Sequence, residues 1–192
     1  MPGVAPATRC GIRGTAPQLK TMQAKTKLAL LLWVLPLSLS AQLVQWNLNG
    51  STLPSFTAPD ISGSEALFGS GVGNQTFVSD NDGNNPGAYS GNSWETGPAR
   101  NPDEYFQVCI SATTGTLDLT NISFEERRSG TGPRTLEIRY SNDNFTNDDN
   151  FIGSVTLPDT TLWRTQSFPL TISNETDICF RIYGYNAEAP QG

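Results

Sequence analysis

Cys109 and Cys179, the acidic-amide run from Asp80 to Asn85, and the aromatic residues around Trp94 are the places where side-chain type and spacing could do chemistry in this chain. Asp80, Asp82 and Asn84 alternate along DNDGNN, and Gly83 allows a tight reversal. Alternating oxygen donors of this kind hold calcium in chelating loops. The twelfth position of a helix-flanked calcium loop would be Gly91, which supplies no bidentate carboxylate. The run therefore reads either as a calcium-stabilised loop or as a plain Asx/Gly turn. A second acidic run, NDNFTNDDN at 142–150, lies between two strand-like stretches and reads first as a hairpin loop.

Tyr89, Asn92 and Trp94 make up a sugar-binding inventory: a ring covers the apolar face of a sugar while an amide bonds its hydroxyls. Trp46 and Trp163 are further aromatic candidates. Packing between sheets is the competing reading for every one of these rings. Glu125 and Glu126 do not make a hydrolytic pair, because neighbours on a strand face opposite ways. Arg127 and Arg128 head a Gly-rich connection and are read as braces for it. The chain contains no histidine, which removes the usual general base, the Ser–His and Cys–His relays and the commonest transition-metal ligand. The expectation is a non-enzyme with no cofactor other than calcium.

Lys25 and Lys27 precede the apolar run LALLLWVLPLSLS at 28–40, which ends in small residues. A charged start, a short apolar stretch and a small-residue exit are the marks of a secretory signal. The run is too short, and too interrupted by Pro36, to span a bilayer comfortably. Residues 22–41 are accordingly read as a signal peptide beginning at Met22, and residues 1–21 as a leader outside the native product. From Gln42 onward the chain has seven arginines, no lysine and all 18 acids, a formal charge of −11. Such a field repels nucleic acid and anionic membranes. Export to the cell surface or medium is expected, without stable membrane insertion after cleavage.

The elements that must position these residues are strands. LVQW (43–46), YFQVCIS (105–111), TLDL and NISFEE (within 116–126), RTLEIRY (134–140), FIGSVTL (151–157), RTQSFPL (164–170) and DICFRIYGY (177–185) alternate or run apolar between Gly, Asn, Asp and Pro. The inward rows are Phe106, Val108 and Ile110; Leu136, Ile138 and Tyr140; and Ile178, Phe180 and Ile182. The phase change between Leu119 and Ile122 calls for a bulge near Thr120–Asn121. Seven strands with one apolar row each need a second sheet to bury them. Residues 49–104 lack a persistent pattern and are read as edge strands and large ordered loops. Cys109 and Cys179 alternate with inward residues, so both point outward. If their strands are antiparallel neighbours a disulfide can join them; two inert thiols are the alternative.

The phrases DEYFQVCIS, LTNISFEERRSGTGPRTLEIRYSNDNF and DICFRIYGYNA, with the opening LVQWNLNG, resemble the jelly-roll modules of secreted and cell-surface proteins from Bacteroidota and related bacteria. The resemblance covers almost all of 43–187. It implies an all-β, antiparallel two-sheet β-sandwich, a jelly roll of galactose-binding-like type with about eight to ten strands, forming a single domain over 42–192. It also implies a further terminal strand beyond EAPQG, so the domain is expected to be C-terminally incomplete. Such modules accompany varied catalytic and adhesive domains. The expected role is a secreted accessory, structural or adhesion module contacting a surface protein. The alternative is a carbohydrate-binding module for extracellular glycans, with calcium as a stabiliser; a glycan-active enzyme is the remote third reading.

Overall fold

The computed structural model describes residues 41–78 and 88–190. The leader, the signal segment and the run containing Asp80, Asp82 and Asn84 lie outside the described residues. Twelve described strands follow one another: β1 (Val44–Gln45), β2 (Phe56–Thr57), β3 (Ile61–Gly63), β4 (Leu67–Phe68), β5 (Gly73–Val78), β6 (Ala88–Asn92), β7 (Tyr105–Ala112), β8 (Leu117–Glu126), β9 (Thr135–Ser141), β10 (Asn150–Thr156), β11 (Arg164–Glu175) and β12 (Asp177–Tyr185). The number exceeds eight to ten because residues 49–104 pair in short pieces. β2, β3 and β4 hold two or three residues each, with Pro and Gly between them limiting any longer ladder.

The larger layer runs β10-β9-β12-β7, with β3 and β4 both pairing along the far side of β7. Every pairing in it is antiparallel. Its register places the apolar rows side by side. Ile178 faces Ile110, Phe180 lies between Val108 and Tyr140, and Ile182 lies between Phe106 and Ile138. One residue of slip would turn all three rows to solvent, so burial of this face fixes the register.

The facing layer is the antiparallel pair β8–β11. Leu117, Leu119 and Ile172 from it join Val108, Ile110, Ile178 and Phe180 from the larger sheet in one buried cluster. This completes an all-β sandwich of antiparallel sheets. The phase change in β8 is resolved across the pair. Asn121 opposes Pro169 while Leu119 opposes Ile172, so β11 carries the additional residue. A bulge of this kind bends the ribbon and lets both halves of β8 face the core.

Arg128 shows how the connection from β8 to β9 is held. Its residue is 3% exposed, and its Nη2 donates to the carbonyls of Gly130 and Gly132 at 3.2 and 3.1 Å. Its guanidinium also pairs with Asp159 and Glu188, each at 3.1 Å. Arg128 is therefore a brace, while Arg127 stacks over Trp163 at 5.5 Å from the ring centroid.

Candidate ligand-binding cleft

The sugar-binding inventory expected at Tyr89, Asn92 and Trp94 is brought together, but its rings turn inward. β5 and β6 form a hairpin in which Phe77 opposes Tyr89. Tyr89 stacks between Phe77 and Phe68, with centroids 4.9 and 4.8 Å away. Phe68 in turn meets Trp94 and Phe106 edge to face. Trp94 donates its indole N–H to the Gly91 carbonyl at 3.0 Å. A Cβ on Gly184 would sit 2.8 Å from the Trp94 ring, so the absence of a side chain there admits the indole against the inner face of β12. Trp94 is thus a packing residue. Asn92 accepts a local hydrogen bond from the Ser93 hydroxyl at 3.1 Å. Phe77, 38% exposed, carries this aromatic column to the surface. Trp46 is likewise engaged: its indole N–H donates to the Ser64 carbonyl at 2.9 Å and its ring packs on the core.

The opposite face of the large sheet carries a different constellation. Cys109 and Cys179 occupy directly opposed positions on β7 and β12, with Cα atoms 4.0 Å apart, and are joined by a disulfide. Two steps along β7 in either direction lie Gln107 and Ser111, paired across the ladder with Arg181 and Asp177. Period-two geometry puts all of them on the outer face. Above the disulfide is an open cleft of about 390 Å³, bounded by Ser64 and Leu67 on one side and by residues 141–144 on the other.

The 141–150 turn is held over this face by its own polar groups. Buried Ser141 accepts from the backbone N–H groups of Asp143 and Phe145 at 3.1 and 2.8 Å, and donates to the Asp143 carboxylate at 2.8 Å. That carboxylate also accepts from the backbone N–H groups of Thr146, Asn147 and Asp148. The Ser141 hydroxyl bond, reinforced by these donors, pulls the Asp143 pKa down to about 2. The acidic run is therefore a carboxylate-centred turn. Among the described residues no three His, Cys, Asp or Glu side chains converge as a metal site.

The turn delivers Asn144 and Phe145 to the sheet. Both have left-handed backbones, φ 57° and 60°. Asn tolerates this region; a bulky Phe seldom does, and such residues persist where surrounding contacts over-determine them. The Asn144 side-chain oxygen accepts from Gln107 Nε2 at 3.0 Å, and the Gln107 oxygen accepts from Arg181 Nε at 2.6 Å. At the other end, Asp177 accepts from the hydroxyls of Ser111 at 2.6 Å and Thr176 at 2.9 Å. These bonds, that of Ser111 foremost, lower its pKa and keep it a carboxylate. The cleft thus has an apolar disulfide floor and convergent amide, hydroxyl and carboxylate groups around it.

Gln107, Asn144, Asp177 and Arg181 are absent from the sequence-based site. The outward row of Gln107, Asp177 and Arg181 was readable, since they alternate with the core positions of β7 and β12; Asn144, in the turn after β9, was not. The fold-back of the 141–150 turn onto that row depends on contacts between residues 37 positions apart, for which no local pattern exists.

No family model matches the chain, and no curated protein matches it. Among solved structures, a mutant of a family 29 carbohydrate-binding module, studied for ligand recognition, aligns over 71% of this chain and 91% of its own at 11% identity, with a TM-score of 0.32. A second mutant of a family 29 carbohydrate-binding module aligns over 66% and 94%, again at 11% identity, with a TM-score of 0.27. At these scores and identities the superpositions carry no functional argument. The chemistry rests on the residues of the chain itself.

Proposed function

We propose that this chain is an extracellular, non-catalytic carbohydrate-binding module whose ligand lies in the disulfide-floored cleft. The observation that carries the reading is the cleft itself. Convergent polar side chains surround an apolar floor, and the donors are held by a saturated turn and by a covalent bond between central strands. Its volume falls within the ~300–1,000 Å³ common for small-molecule sites. A spacer or purely adhesive module has no need for such a cavity, which favours glycan recognition over the structural role. Sugar hydroxyls both donate and accept, so Asp177, Ser111 and the Asn144 amide N–H groups, which make no hydrogen bond among the described residues, suit them. Export fits the disulfide, which persists in oxidising compartments. Calcium bound by Asp80, Asp82 and Asn84 remains part of the proposal, as a stabiliser separate from the cleft.

Binding of the purified chain to polysaccharides, with and without calcium, tests the reading. Asn144→Gly keeps the left-handed backbone and deletes the amide. Loss of one hydrogen bond of ~1 kcal/mol weakens affinity about fivefold. The same loss is expected for Asp177→Asn, with Trp94→Ala acting on stability instead. Unchanged affinity in both cleft variants, or turnover of a glycan by the wild type, would overturn this function.

A further inference from the structure

We infer that the cleft selects a glycan bearing protonated amino sugars, with the Asp177 carboxylate as the ammonium receptor. This rests on the glycan-binding reading above and specifies its substrate class. The first observation is the sign of the cleft. Asp143 and Asp177 line it, and no arginine does. Asn142, also on the rim, donates its backbone N–H to Asp148 at 3.4 Å and its side-chain amide to Glu175 at 3.2 Å. Two further carboxylates therefore stand directly behind the rim. None of these four acids has an ion-pair partner among the described residues.

The second observation is where the positive charge is spent. Arg100, Arg128, Arg134, Arg139 and Arg164 are held in ion pairs by carboxylates that do not line the cleft. Arg127 stacks over Trp163. Arg181 is enclosed between two rings, its guanidinium carbon 3.8 Å from the Tyr105 centroid and 4.2 Å from the Phe145 centroid, with Nε bonded to Gln107. It stands four residues from Asp177 along β12, roughly 13 Å at ~3.3 Å per step. No described cation answers the charge of the cleft. Lone acids are expected in a chain whose acids outnumber its bases; a cavity bounded by them without a counter-charge is more specific. A cleft of one sign with low-dielectric walls focuses its field on the opposite ion. The disulfide and Leu67, 40% exposed, are such walls.

The third observation is what Asp177 keeps available. The residue is exposed, and each of its oxygens accepts a single hydroxyl bond, Oδ1 from Ser111 and Oδ2 from Thr176. A lone pair remains on each oxygen. The two bonds fix the orientation of the carboxylate and keep it ionised. Asp143 is saturated by the donors of its own turn and supplies charge without a contact. An ammonium has three N–H donors and no acceptor, which suits an anion with only acceptors to offer. A metal ion is the poorer match, because no three carboxylates converge among the described residues. Ser64, Ser111 and Asn144 remain for the hydroxyls of the same sugar. The formal charge of −11 from Gln42 onward, which repels polyanions, draws such a ligand in.

The test compares glucosamine oligosaccharides with their N-acetylated counterparts of equal length, at mildly acidic pH where the amines are protonated. The N-acetylated form keeps the skeleton and loses the charge. Wild-type protein should bind the amine form about tenfold more tightly, and the difference should shrink as salt is raised. Asp177→Asn should weaken the N-acetylated form about fivefold and the amine form about fiftyfold, which removes the preference. Asp177→Glu should restore part of it. Glu125→Gln, at an exposed position of β8 in the other layer, changes the net charge equally and should leave the preference intact. Thermal melting of each variant confirms the fold. Equal binding of the two forms, a preference that survives Asp177→Asn, or one lost equally in Glu125→Gln would overturn this inference and leave the glycan-binding function standing. A lysine oligomer of matching charge that binds as tightly, with the same dependence on Asp177, would assign the cleft to basic peptides and overturn it as well. Binding to neither oligosaccharide nor to any polysaccharide would overturn both.

Discussion

Asp143 and Ser141 show how much of the cleft depends on single polar groups. Buried Ser141 accepts two backbone N–H bonds and donates its hydroxyl hydrogen bond to Asp143, whose carboxylate also accepts from further N–H donors of the turn. The folded-state pKa of Asp143 is depressed to about 2, from the ordinary 3.8. A depressed carboxylate contributes stability that is present above its unfolded pKa and lost as pH falls through the folded one. The melting temperature should therefore decline between about pH 4 and pH 2, and Asp143→Asn should flatten that decline. Asp177 and Glu188, also lowered, act in the same direction and leave a residual slope. A profile for Asp143→Asn parallel to wild type would show that the turn does not depend on this carboxylate. The asparagine- and aspartate-rich composition of 142–150 announced a turn. The convergence of its donors on one carboxylate could not be read from composition, because calcium loops and self-capped turns use the same residues.

At the scale of elements, β7 and β12 carry both the core and the site on opposite faces. Their alternation was legible: Phe106, Val108 and Ile110 face inward with Ile178, Phe180 and Ile182, and Cys109 and Cys179 fall on the other side. The short strands β2–β4 were not legible, because two- or three-residue ladders depend on β1 and β7 for their existence. The packing of Trp94 was not legible for a related reason: it depends on Gly184, ninety residues away in sequence, leaving room for the indole. The disulfide ties the two central strands across a separation of 70 residues. By loop entropy, its removal should cost about 4 kcal/mol. Cys109→Ala/Cys179→Ala should show this as a lowered denaturant midpoint, with weakened glycan binding as the cleft floor loosens. A midpoint equal to the oxidised wild type would mean that the sheet alone fixes the strand pair.

For the whole molecule, the architecture separates labour between two faces of one sheet. The inner face is committed to β8–β11 at one end and to the Phe68–Tyr89–Trp94 column at the other. The outer face carries the disulfide with Gln107, Ser111, Asp177 and Arg181, and the 141–145 turn folds over part of it. A ligand site on the outer face can therefore be altered without disturbing the core. The most direct measurement is amide chemical-shift mapping of the isotopically labelled chain during titration with oligomers of the tightest-binding polysaccharide. Saturable shifts should concentrate at Gln107, Ser111, Asn144 and Asp177, which line the cleft. Shifts concentrated instead on Phe77, Tyr89 and the β5–β6 hairpin, or none at saturating ligand, would contradict the cleft as the ligand site.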